Sequence, residues 1–329
     1  MKDLTGALGA ILIGIFATLL MYWLGNFFNS KLPRKIRLAL EPYVFIGPVL
    51  LIIGAFLVWP VFQSIRLSFM AEELDGSTTW VGLQNFKDLF AEEYFWGMIF
   101  NNILWIAIVP IVTVIVGLAM AQFANNVGTR REKFFKSIFF MPMTISFVSA
   151  AVIWRYIYAY QPDGQEQVGL LNKLWTSFGG TPQAWLQMQD FQVNDLLMMV
   201  IFVWLNAGFS MVLLSAAIKS VPEDTLEAGR MDGASNAQIF FRIILPQILP
   251  TALAVFITTI IGAMKIFDIV LAMTGGNYGT TVLAQTFFLE YFSYGNTGKA
   301  MAAVVLLMAA ITPIMIYQVR HYKKMEGAR

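Results

Sequence analysis

Seven stretches of this chain, at about 7–25, 44–65, 100–121, 137–158, 196–218, 251–272 and 300–318, are long and apolar enough to be membrane helices. A bilayer core of about 30 Å takes roughly 20 such residues in a helix. At these lengths only a helix closes its own backbone hydrogen bonds in lipid. Composition agrees: 58% of the 329 residues are hydrophobic and 13% are charged, against about 25% charged in a soluble domain. The expected fold class is an all-α polytopic membrane protein.

The same composition removes several kinds of chemistry. A net charge of +2 is too small to point to nucleic acid. With no Cys there are no disulfides, thiol nucleophiles or thiolate metal sites. The single histidine, His321, sits in a basic tail, so neither a zinc site nor a Ser-His pair is expected, and no metal or catalytic residue is assigned.

Lys and Arg set the direction. Alternate loops hold Lys31, Arg34, Lys35 and Arg37; Arg130, Arg131, Lys133 and Lys136; Lys219, Arg230 and Arg242; and Arg320, Lys323, Lys324 and Arg329. The opposite loops hold only Lys2, Lys87, Lys173 and Lys299. The positive-inside rule places the richer set in the cytoplasm. The N-terminus is then external and the C-terminus cytoplasmic, as an odd number of spans requires. The first span has the alternative reading of a signal peptide, but no small-x-small site follows it, and the basic cluster KLPRKIR lies after it rather than before. It is read as a retained helix. The expected division is 1–40, an N-terminal helix with a basic linker, and 41–329, the main domain.

One cytoplasmic loop stands apart. Residues 220–250 read SVPEDTLEAGRMDGASNAQIFFRIILPQILP. Pro222, Glu223 and Asp224 suit the start of a helix. Asp232-Gly233 is a turn signal, and Ser235 with Gln238 fits a capping box. Pro246 is expected to interrupt the second helix just before the sixth span. The pattern predicts a short helix, a sharp turn and another short helix, shaped to dock into another protein.

Glu227-Ala228-Gly229, three residues, Gly233, nine residues, Ile243, one residue, Leu245-Pro246 resembles the EAA loop of ABC-importer permeases, with Gly229 where an alanine is usual. The resemblance implies a type I permease core with one extra N-terminal helix. It implies that the loop enters a cleft of a separate ATPase subunit, where Glu227 supplies a charge, Gly233 permits the turn, and Leu226, Met231 and Phe240 fill the cleft. The expected assembly has a second permease, two ATPase copies and an external sugar-binding protein. Nothing in this chain matches a phosphate-binding loop G-x-x-x-x-G-K-[ST]. ATP and magnesium are therefore expected on the partner, and the chain itself is not expected to be an enzyme.

The segments at 140–172, 178–186, 80–86 and 264–284 resemble permeases for alpha-glucosides and related disaccharides. By position, the resemblance implies a sugar path along Trp204, Asn206 and Phe209 on the fifth span and Thr258 and Lys265 on the sixth. Lys265 is costly in a bilayer unless it meets protein, water or ligand. Asp268, at i+3, is expected on the same helical face, which leaves an internal ion pair as the competing reading. Arg66 and Arg155 are expected to snorkel towards headgroups. The alternative functions are an ATP-independent channel or secondary transporter, and a membrane scaffold or receptor.

Overall fold

The computed structural model describes the backbone of residues 2–72, 76–162 and 164–326, and the side chains of these except at 2–5, 7, 8, 10–12, 129, 130 and 321–326. The expectations at Lys2, Arg130, His321, Lys323, Lys324 and Arg329 lie outside the described side chains. Two compact units are present, Met1–Leu67 and Ser68–Arg329.

In the first unit, α1 (Lys2–Ser30) turns at Pro33 into α2 (Arg34–Ile53), which runs through a π-helical turn, Gly54–Val58, into α3 (Trp59–Leu67). α1 and α2 pack as a hairpin. A Cβ on Gly25 would lie 3.2 Å from Val44 Cγ1, the rings of Tyr22 and Phe45 are 5.3 Å apart, and Asn29 Nδ2 donates to the Arg37 carbonyl. The unit boundary thus lies after the second apolar span, whereas the sequence reading divides the chain after residue 40.

The second unit opens with a short antiparallel ribbon, β1 (Met70–Glu72) and β2 (Thr78–Trp80), so the chain is mostly rather than wholly helical. Next come α4 (Gln84–Ala91), α5 (Phe95–Asn126), α6 (Thr129–Phe140) and α7 (Phe147–Ile157). These are followed by α8 (Leu170–Ser177), α9 (Val193–Lys219), α10 (Glu223–Met231), α11 (Asn236–Ile239) and α12 (Leu245–Met264). The chain ends with α13 (Asp268–Met273), α14 (Leu283–Phe288) and α15 (Thr297–Glu326).

Among the described residues, five helical runs are long and apolar enough to cross a membrane: Arg34–Leu67, Phe95–Asn126, Asp190–Lys219, Asn236–Met264 and Thr297–Arg320. The expected fourth span is not one helix. It bends by 101° between Arg131–Thr144 and Phe147–Ile157. Pro142 has no N–H to continue the ladder, and Ser146 restarts it by accepting from Ser149 N. If that pair counts as one span, the runs number six among the described residues.

α5, α9 and α12 pack on one another. In lipid, close packing rather than water expulsion holds helices together, so small residues mark the contacts. A Cβ on Gly117 of α5 would sit 2.6 Å from Ser210 Cβ of α9, and one on Gly208 would sit 2.2 Å from the Phe139 carbonyl oxygen of α6. Trp105, Met198, Ile201, Ala263 and Ile269, from α5, α9, α12 and α13, belong to the main buried cluster. At the start of α15, Lys299 pairs with Glu92 and with Glu290 at 3.0 Å, tying that helix to the entry of α5.

Candidate functional site

The loop after α9 folds as a helical hairpin. Pro222 is the N-cap of α10, one position before the expected one. Glu223 and Asp224 lie in its first turn, where carboxylates meet the positive helix end. Asp232 follows as the C-cap, and Gly233 takes φ +79°, the left-handed conformation that glycine reaches without steric cost. The Gly233 and Ala234 amides close the turn on the Arg230 and Gly229 carbonyls. Ser235 and Gln238 form the expected capping box: Ser235 Oγ accepts from Gln238 N at 3.3 Å, and Gln238 Oε1 accepts from Ser235 N at 2.8 Å.

Pro246 does not interrupt the second helix. α11 widens into a π-helical turn, Phe240–Ile244, and passes into α12, giving one helical run, Asn236–Met264. Pro246 sits in the first turn of α12, and the wider turn before it absorbs the missing donor. The hairpin is therefore continuous with the span it precedes.

The three apolar residues expected to fill a partner's cleft divide. Leu226 and Phe240 pack against a buried cluster of Ala217, Val221, Ile239, Ile244 and Ile248, so they hold the hairpin to its own bundle. Met231, at the tip, is 88% exposed, and Phe241 is 64% exposed. Ala228, Asp232, Gly233 and Pro246 are exposed, and Leu245 is half-buried in the cluster. Glu227 is exposed and joins none of the ion pairs found among the described residues. Gly229 is buried; a Cβ there would meet Ile243 Cδ1 at 2.7 Å. Beside the hairpin, Gln122, Asn125, Lys219, Glu223, Arg230 and Asn236 line a polar cleft. Next to it Glu132 holds both Lys136, at 2.6 Å, and Lys219, at 2.5 Å.

The residues expected on a sugar path are placed less uniformly. Trp204 is half-buried, 5.7 Å from the Trp154 ring. Asn206 donates to the Phe202 carbonyl of its own helix at 2.8 Å, and Phe209 is half-buried. Thr258 is exposed and bonds the Ala254 carbonyl. Lys265 is exposed, but α12 has ended at Met264. Asp268 opens a new helix, so the two do not share a helical face, and no ion pair joins them among the described residues. Asp268 instead lies in the first turn of α13, where the helix dipole favours its charge. Arg155, expected to snorkel, donates to the Ala272 carbonyl near the end of that same helix.

A family profile described as "Binding-protein-dependent transport system inner membrane component" matches residues 113–327, which include the hairpin and both spans that flank it. The chain belongs to this family. It is 43% identical over 287 residues to the osmoprotective compounds uptake permease protein GgtC of Synechocystis sp., covering 87% of this chain and all of the relative. It is 38% identical to the alpha-glucoside transport system permease protein AglF of Rhizobium meliloti, with 99% of each chain covered. Among solved structures, a chain of a bacterial ABC transporter involved in the import of the acidic polysaccharide alginate superposes with a TM-score of 0.75, covering 88% of this chain and 98% of that one. At 20% identity this likeness shows the fold alone. The chain is thus an inner-membrane, multi-pass permease subunit of an ABC importer.

Proposed function

We propose that this permease forms half of the pathway of an ATP-driven importer for an alpha-glucoside or a similar small sugar, and that residues 223–246 couple it to a separate ATPase. The observation that carries the coupling role is the exposed tip of a hairpin whose second helix runs unbroken into a membrane span. A socket that grips Met231 and Glu227 can move that span as a lever. The full-length match to an alpha-glucoside permease supports the substrate class. The assembly includes a second permease, two ATPase copies that bind ATP and magnesium, and an external binding protein. An ATP-independent channel or secondary transporter has no use for such a hairpin.

Along the spans that flank the hairpin, Trp204, Asn206, Phe209, Thr258 and Lys265 supply the rings, amide, hydroxyl and ammonium that suit a sugar. Asp268 adds a carboxylate just beyond the break. Uptake of a labelled disaccharide by cells carrying Glu227→Lys or Gly233→Pro tests the coupling role. Both variants should reach the membrane at parental levels, lose the ATPase on copurification, and stop uptake. Normal uptake by both would remove the hairpin from the coupling path.

A further inference from the structure

At the end of α9 opposite the coupling hairpin, the loop Thr274–Thr281 between α13 and α14 has an unusual backbone. Gly275, Gly276 and Gly279 take φ between +65° and +84°, and Tyr278 takes φ +58°. Left-handed backbone is uncommon for a bulky non-glycine residue and persists where its surroundings hold it. Here two buried asparagines do so. Asn101 of α5, 1% exposed, donates from Nδ2 to the Gly279 carbonyl at 2.6 Å and the Thr281 carbonyl at 2.9 Å. Asn194 of α9, fully buried, donates from Nδ2 to the Tyr278 carbonyl at 2.9 Å, while its Oδ1 accepts from Asp195 N. Asp195 is in turn held by Trp105 Nε1 of α5 at 3.1 Å.

The grip is one-sided. On the α14 side, the Gln285 amide lies against Gly276, so closely that a Cβ there would sit 2.6 Å from Nε2. Neither polar atom of that amide has a hydrogen-bond partner among the described residues. The loop is therefore fastened to α5 and α9 rather than to α14. α9 then runs 27 residues to Lys219, about 40 Å at about 1.5 Å per residue, and the hairpin begins four residues beyond it.

We propose that Asn101 and Asn194 are positioning residues that join the Thr274–Thr281 loop and the outer ends of α5 and α9 into one moving part, so that a displacement of the loop is delivered along α9 to the coupling hairpin. The Tyr278 side chain, 43% exposed, gives an external partner a point to press on. The inference rests on the importer reading above. Its loss of function differs from that of a broken hairpin, because the ATPase stays docked.

The test uses the whole transporter in proteoliposomes, with ATP hydrolysis measured with and without sugar-loaded binding protein. Asn194→Asp and Asn101→Asp keep shape but replace the Nδ2 donor with a carboxylate oxygen, which repels the carbonyls the amide held. Each should assemble with the ATPase, raise unstimulated hydrolysis, and lower the stimulation ratio several-fold. Asn172→Ala is the control. Asn172 is an equally buried amide that holds the Ala159 and Gln183 carbonyls in the segment between α7 and α9; its loss should lower thermal stability and leave the ratio unchanged. A parental ratio in both Asp variants overturns the proposal. So does failure of both to assemble, which would make the amides purely structural, or an equal fall in the Asn172→Ala control. A parent complex with no stimulation at all would overturn the importer reading and the clasp together.

Discussion

At Lys265 the polypeptide has already left the helix that brings it there. Its ammonium therefore cannot rely on a carboxylate one turn further on, and Asp268 is served by the first turn of α13 instead. Removing one partner of a buried ion pair costs roughly 3–5 kcal/mol, so a paired Lys265 would be hard to replace. We expect the opposite: Lys265→Met should accumulate in membranes at the parental level, read by immunoblot, yet raise the sugar concentration for half-maximal uptake several-fold. A sharp fall in membrane level would restore the ion-pair reading. Asn206→Ala should likewise accumulate at the parental level, since the bond it loses lies within its own helix, and should weaken uptake in the same way. The i+3 spacing was legible in the sequence, but the break between the two residues was not, because Lys265-Ile266-Phe267 carries neither proline nor glycine.

The hairpin was readable because its signals are local: a capping box over Ser235 and Gln238, a turn at Asp232-Gly233, and acids at a helix start. Which apolar residues face the partner was not readable. Leu226 and Met231 are equally hydrophobic letters, and only the position of Val221 and Ile244 decides that one is covered. Two glycine substitutions should separate in sign. Gly229→Ala gains helix propensity, about 1 kcal/mol, and meets only the flexible end of Ile243. It should slow amide exchange across residues 224–231 and keep uptake. Gly208→Ala places its Cβ against the Phe139 carbonyl, which is backbone and cannot swing aside. It should lower the Tm of the purified complex by several degrees, a destabilisation of about 1–3 kcal/mol of the kind that overpacking brings. An unchanged Tm would mean that α6 and α9 can slide apart.

Across the whole molecule, hydropathy shows where apolar runs lie but not where they bend. The apolar run of 137–158 is continuous through Pro142, so hydropathy did not register its 101° turn, although the proline marked where the ladder could break. The clasp was hidden for a different reason: Asn101 and Asn194 lie 178 and 84 positions from the carbonyls they hold, and an amide in an apolar run does not name its partner. Topology is open to a direct check. Reporters fused after residues 35, 132, 235 and 322 should read cytoplasmic, and those after 80, 175 and 290 external; an external signal at 235 would put the hairpin out of an ATPase's reach. The π-helical turn at Phe240–Ile244 carries one more consequence. A π turn holds one residue more than the ladder around it needs, so it sets the phase between two gears on one shaft. Deleting a single residue there would rotate the gear at one end by about 100°, the step of one residue at 3.6 per turn, and would bring Pro246 into the regular ladder that the wider turn now spares. Met231 and Glu227 would then point away from their socket in a transporter that still folds, inserts and binds sugar.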